Sequence, residues 1–151
     1  MVIFNFIYLL SLVVWIGSIV FFSFFVAPVV FKSLEREKAG ELVGIIFPRY
    51  YKVGYACGTL ILLSFLASGV EEIGLKWCAW GIMSLTSILA GVVVNPKAKL
   101  LKEKIKSASK EEKSGLDEKF KFLHSFSVKL NIGTFFSGLW LLGLTTSNFQ
   151  I

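Results

Sequence analysis

Apolar residues in this chain run in long blocks, separated by charged stretches. The first block covers residues 2–31. Asn5 is its one strongly polar side chain, and Ser11, Ser18 and Ser23 can bond back onto a helix. A hydrocarbon core of ~30 Å needs about 20 apolar residues in a helix. The block exceeds one perpendicular crossing and predicts a span that tilts or projects. No basic stretch precedes it and it is longer than a secretory h-region, which argues against a cleaved signal. Pro28, near its end, suits a kink or stop.

Residues 33–47 predict a short amphipathic helix lying in the membrane interface. Ser33 suits its cap, and Glu35 and Glu37 suit the positive end of its dipole. Glu35, Arg36, Lys38 and Glu41 oppose Leu42, Ile45 and Ile46, while Gly40 and Gly44 are spaced to admit a neighbouring helix. Pro48 breaks this pattern, and a second span is expected over residues 50–69. A short turn at residues 70–74 leads to a third span over 75–95, which Pro96 ends. Leu101, Ile105 and Ala108 then keep helical spacing, so this helix is expected to continue into water. Ser114 and Gly115 predict a turn, Asp117 and Glu118 favour the start of the next helix, and the fourth span is expected over 122–146.

The expected fold is therefore an all-α membrane protein, a single domain over residues 1–151. It is a four-transmembrane-helix bundle with an interfacial amphipathic helix and a lysine-rich cytoplasmic hairpin. The spans form two hairpins, each with a basic loop after a proline (Pro28 and Pro96), although no residue-level repeat is visible.

Charge sets the expected orientation. Of 16 Lys and Arg, all but Lys76 fall in the two longer loops or the span ends that flank them. By the positive-inside rule those loops are cytoplasmic and both termini lie outside, in a plasma or inner membrane. The net charge of +6 is thus a topological signal and not the footprint of a nucleic-acid partner. Cys57 and Cys78 fall at different expected depths, which argues against a disulfide.

Polar groups inside spans are costly, so each is a functional candidate. His124, Ser127, Asn131 and Thr134 are three, four and three residues apart and share one face of the fourth span. Such a face either hydrogen-bonds to a neighbouring helix or lines a path. His124, the lone histidine, is a bridging group or a ligand and proton relay. Lys129 either snorkels to the headgroups or pairs with an anion. Arg49, Tyr50, Tyr51, Lys52 and Tyr55 form an interfacial aromatic and basic anchor or a lipid-phosphate or anion site. Trp15, mid-span beside Gly17 and Ser18, packs in the bundle interior or lines a ligand. The glycines at 17, 58, 91 and 138 are expected to allow close helix packing. The catalytic motifs of dinucleotide, phosphate, zinc-protease and hydrolase sites are absent, so the expectation leans away from an enzyme. No metal site is expected, because the chain has two methionines and no clustered thiolates.

Four stretches carry a resemblance. They are Trp15-Ile16-Gly17 with the Phe-rich run to Ala27-Pro28, Ala39-Gly40 through Phe47-Pro48-Arg49-Tyr50, Asn95-Pro96, and Leu123-His124-Ser125 through Asn131. They resemble a small membrane family of unknown function typified by transmembrane protein 205 of animals. That resemblance implies a four-helix membrane domain and no established activity. The fold is also similar to that of the CopD and HemJ groups. HemJ-type proteins use haem and intramembrane histidines, whereas this chain has His124 alone. No cofactor is expected, with haem as the lesser alternative. The leading functional expectation is binding or transport of a small molecule, lipid or ion, with membrane lipids as partners and a homo-oligomer or larger complex as assembly. An accessory subunit docking through residues 97–121 is the second, and a haem-linked oxidoreductase the third.

Overall fold

The computed structural model describes residues 2–68 and 73–147, and among these every regular element is helical. Four helices are long and apolar enough to cross a membrane. The first comprises α1 (Val2–Val20), a π-helical turn (Phe21–Val26) and α2 (Ala27–Ser33). The second is α3 (Arg36–Ser68). The third comprises α4 (Ile73–Ile88), a second π-helical turn (Leu89–Val94) and α5 (Asn95–Ser107), and the fourth is α6 (Lys110–Thr146). The expected turn at 70–74, with Glu71 and Glu72, lies largely outside the described residues.

The two π-turns have a common cause. Proline lacks an N–H, and its ring clashes with the carbonyl four residues earlier. For Pro28 and Pro96 that carbonyl belongs to Phe24 and Val92, each inside a widened turn. The backbone N–H of Ala27 reaches back to Phe22 O, and that of Asn95 to Ala90 O, so the helix continues past each proline. The same 68 positions separate Phe21 from Leu89 and Pro28 from Pro96. The buried residues Ser11, Trp15, Ile19 and Phe22 also fall 68 positions before Ala79, Met83, Ser87 and Ala90, which are buried too. The first and third spans thus repeat in backbone and burial register, although residue identities hide it.

The first and second spans pack along each other, as do the third and fourth, and contacts of α3 with α4 and of α1 with α6 close the bundle. Lipid tails are as apolar as leucine, so packing and interhelical hydrogen bonds hold such a bundle together. Leu12, Ile61, Met83 and Leu141 fill its centre. Glycines admit larger partners: a Cβ on Gly58 would meet the Trp15 ring at 3.1 Å, and one on Gly138 would meet Ile16 Cγ1 at 2.9 Å. Gly91 carries Tyr51, whose Cγ would lie 2.7 Å from such a Cβ. Gly17 differs from expectation, because nothing lies within 4 Å of its Cβ position and the residue is exposed.

Two further expectations are corrected. Residues 36–47 are helical, but they form the first turns of α3 and not a separate interfacial helix. Pro48 lies inside α3, where it removes the partner of the Gly44 carbonyl, and Arg49 Nη1 donates to the neighbouring Ile45 O at 3.2 Å. The reversal in the lysine-rich hairpin falls at extended Ala108 and Ser109, and Ser114 and Gly115 lie within α6. α3 and α6 have 33 and 37 residues. At ~1.5 Å per residue they overshoot a ~30 Å hydrocarbon core by roughly 20–25 Å. Their polar starts, with α5, project together at the lysine-rich end.

Candidate functional site

Three helices each turn one stripe toward a common space at that end. From α3 come Arg36, Gly40, Val43, Gly44 and Phe47, at four-, three-, one- and three-residue steps. The second π-turn and α5 supply Val94, Asn95, Ala98, Lys99 and Lys102. α6 supplies Phe120, Leu123, His124 and Ser127, and Phe31 of α2 completes the rim. Each stripe follows the helical period, so each helix presents one face. The cavity they enclose measures about 220 Å³.

Its lining divides chemically. Val43, Phe47, Val94, Leu123 and Phe31 are apolar. The charged or ionisable lining groups are Arg36, Lys99, Lys102 and His124, and no carboxylate is among them. The space therefore has an apolar wall and a cationic mouth. A Cβ on Gly40 would stand 3.1 Å from Lys102 Nζ, so that glycine leaves room for the ammonium group. Nothing lies within 4 Å of a Cβ on Gly44, which borders open space.

Tyr51 does not line the cavity but packs against two residues that do. It is buried, its ring stacks on Phe47 (centroids 5.9 Å, 15°), and its hydroxyl is 3.3 Å from Ser127 Oγ. Asn131 lies close to the Tyr51 hydroxyl. Tyr50 and Phe22 continue the aromatic cluster, with ring centroids 5.3 Å apart. Further along α6, Thr134 Oγ1 is 2.8 Å from Thr86 Oγ1. The polar face anticipated on the fourth span is thus divided by depth. His124 and Ser127 border the cavity, Asn131 lies beside Tyr51 of the second span, and Thr134 bonds α6 to the third. His124 is exposed and stacks on Phe120 (6.4 Å, 11°).

Other sequence candidates are not part of this cavity. Arg49, Lys52 and Lys129 are exposed and do not line it, and Tyr50 reaches it only through the aromatic cluster. Trp15 is packed in the bundle centre against Gly54 and Gly58. Sequence reasoning missed Arg36, Asn95, Lys99 and Lys102 as site residues. The available signal was that Asn95, Ala98, Lys99 and Lys102 form one acid-free stripe of α5.

A second cleft of about 640 Å³ adjoins the first, sharing Arg36, Lys102 and Phe120. It adds Glu37 from α3, Ile105 and Lys106 from α5, and Lys113, Asp117 and Lys121 from α6. Lys106 Nζ donates to Glu41 Oε1 across α5 and α3, beyond the apolar part of either span. That hydrogen bond, then the lysine charge, holds the Glu41 carboxyl below the usual carboxylate range, and the same partner raises Lys106. Both groups are solvent-exposed, so the pair orients two helices more than it stabilises them.

These features define a four-span membrane protein with an amphipathic cavity at its charged end. The chain belongs to a family described as a domain of unknown function, DUF4149, whose profile matches residues 10–107. It is also similar to an uncharacterized protein of Aquifex aeolicus (strain VF5), 38% identical over 95 residues, covering 62% of this chain and 67% of that protein. No solved structure matches it significantly. The family match takes in the α2, α3 and α5 walls of the cavity and stops before α6.

Proposed function

We propose that the protein binds an anionic amphiphile, a lipid of the cytoplasmic leaflet, in the cavity between α3, α5 and α6. One observation carries this reading: an apolar wall of Val43, Phe47, Val94 and Leu123 meets Arg36, Lys99, Lys102 and His124 with no carboxylate in the lining. Such a mouth attracts an anionic group and repels a cation, while the wall accepts the first carbons of a tail. Arg36 suits two-pronged contact with a phosphate, and the lysines add compact charges. The lysine-rich end faces the cytoplasm in this proposal, on the strength of the positive-inside bias. That places the mouth at the level of anionic headgroups. Movement of the bound lipid, and kinship with the transmembrane protein 205 group, belong to the same proposal.

The test is native mass spectrometry of the protein in mild detergent with phosphatidylglycerol or phosphatidylcholine added. The anionic lipid should be retained in preference. Changing Lys99 and Lys102 together to Gln should lower its retention by roughly tenfold or more, as loss of charge-assisted bonds worth ~1.5–3 kcal/mol implies. Lys119→Gln, outside the cavity, should leave it unchanged. Equal retention of both lipids, or equal loss in the Lys119 variant, would overturn the reading.

A further inference from the structure

We infer that the lipid carries a polyol headgroup on its phosphate, and that the cleft beside the cavity holds the hydroxyls. This rests on the binding reading above and narrows its ligand class. The two spaces are neighbours that share Arg36, Lys102 and Phe120 in their walls, so a molecule reaching past these side chains would enter both. Their chemistry differs in one respect. Both are basic, but the inner cavity has no carboxylate, whereas the outer cleft sets Glu37 and Asp117 among Arg36, Lys102, Lys106, Lys113 and Lys121.

An ionised carboxylate only accepts hydrogen bonds. It repels a phosphate and receives hydroxyl donors. The inner cavity is therefore suited to the phosphodiester, and the outer cleft to a neutral group rich in hydroxyls. Lys113 and Lys121 serve the same group, since an ammonium donates to hydroxyl oxygens. Phe120, shared by both spaces, offers a flat apolar face for carbon-bound hydrogens at the junction. The cleft, at about 640 Å³, is far larger than a bare phosphate requires and lies within the ~300–1,000 Å³ of small-molecule sites. The apolar wall of the inner cavity selects a lipid over a free polyol phosphate.

A purely basic surface makes the opposite prediction. It would favour phosphatidic acid, which carries more negative charge and no headgroup alcohol. The experiment compares phosphatidylglycerol with phosphatidic acid by native mass spectrometry of the full chain, with phosphatidylcholine as reference. Phosphatidylglycerol should bind at least threefold tighter than phosphatidic acid. In Glu37→Ala/Asp117→Ala that preference should vanish, while phosphatidic acid binding stays at or above the wild-type level, which also reports that the variant is folded. Free glycerol 3-phosphate at millimolar concentration should fail to displace phosphatidylglycerol. The inference is overturned if wild-type protein prefers phosphatidic acid or binds both alike, or if the folded double variant keeps the preference. Displacement by free glycerol 3-phosphate would reassign the site to a soluble polyol phosphate. If neither anionic lipid outcompetes phosphatidylcholine, the parent reading falls as well.

Discussion

Trp15 and Gly54 are in such close contact that a Cβ on the glycine would stand 2.8 Å from the indole Nε1. Gly58, one turn on, faces the other end of the same ring at 3.1 Å. The pair forms a small-xxx-small slot that brings the first and second spans together around a large aromatic. Gly54→Ala forces the rigid indole or the backbone to move and should destabilise the protein by about 1–3 kcal/mol. Gly58→Ala should cost less. Gly17→Ala, with open space around its Cβ position, should be neutral or stabilising by up to ~1 kcal/mol. Thermal unfolding in detergent measures the order. A Gly17 variant as damaged as Gly54→Ala would show that the slot is not where the first two spans meet.

Thr86 and Thr134 join the third and fourth spans through hydroxyls 2.8 Å apart. Each hydroxyl also has an acceptor within its own helix, Leu130 O for Thr134 and Ile82 O for Thr86, and since each has one proton, whichever donates across gives up its intrahelical bond. The interhelical bond should therefore be modest. A double-mutant cycle with Thr86→Val and Thr134→Val should return a coupling of about 0.6 kcal/mol, the average for such bonds in a membrane bundle. A coupling near zero would mean that van der Waals packing alone holds this crossing.

How much of this was legible in the sequence depends on the range of the interaction. The four spans follow from block length, a local property, and they are present. The reversal at Ala108 and Ser109 escaped because Ser114-Gly115 offers a stronger turn signal, yet a lone glycine is tolerated inside a helix held by its neighbours. The break expected at Pro48 failed for a similar reason: one lost backbone bond, with Arg49 covering the next carbonyl, does not end a 33-residue helix. His124 and Ser127 stood out because polar residues at helical spacing are rare in apolar surroundings. Arg36, Lys99 and Lys102 did not, because each is one of many basic residues in a polar loop. Only the packing of three helices selects them, and no period along one chain segment encodes that convergence.

Orientation is the next expectation to test, since the cytoplasmic lipid proposal depends on it. In a background with Cys57→Ala and Cys78→Ala, Lys104→Cys places a thiol on α5, at a position that is exposed. A membrane-impermeant thiol reagent should leave it unlabelled in intact cells and label it after permeabilisation. Labelling in intact cells would put the lysine-rich end outside and move the proposed site to the other leaflet.

Gly44 gives the most selective probe of the cavity itself. It lies on the α3 stripe between Val43 and Phe47, and nothing is within 4 Å of its Cβ position. The Cβ of a leucine there would meet no neighbour within 4 Å, and the position borders the about 220 Å³ of open space. Replacing glycine inside a helix also removes a backbone-entropy penalty of ~1 kcal/mol. Gly44→Leu should therefore keep or slightly raise the unfolding temperature while lowering anionic lipid retention severalfold. Those two effects have opposite signs, so a general loss of folding cannot imitate them. The variant leaves Arg36, Lys99 and Lys102 in place, which separates occupancy of the apolar wall from attraction by charge. Unchanged lipid retention in a stable Gly44→Leu protein would show that lipid is held by the basic surface alone and does not enter between α3 and α6.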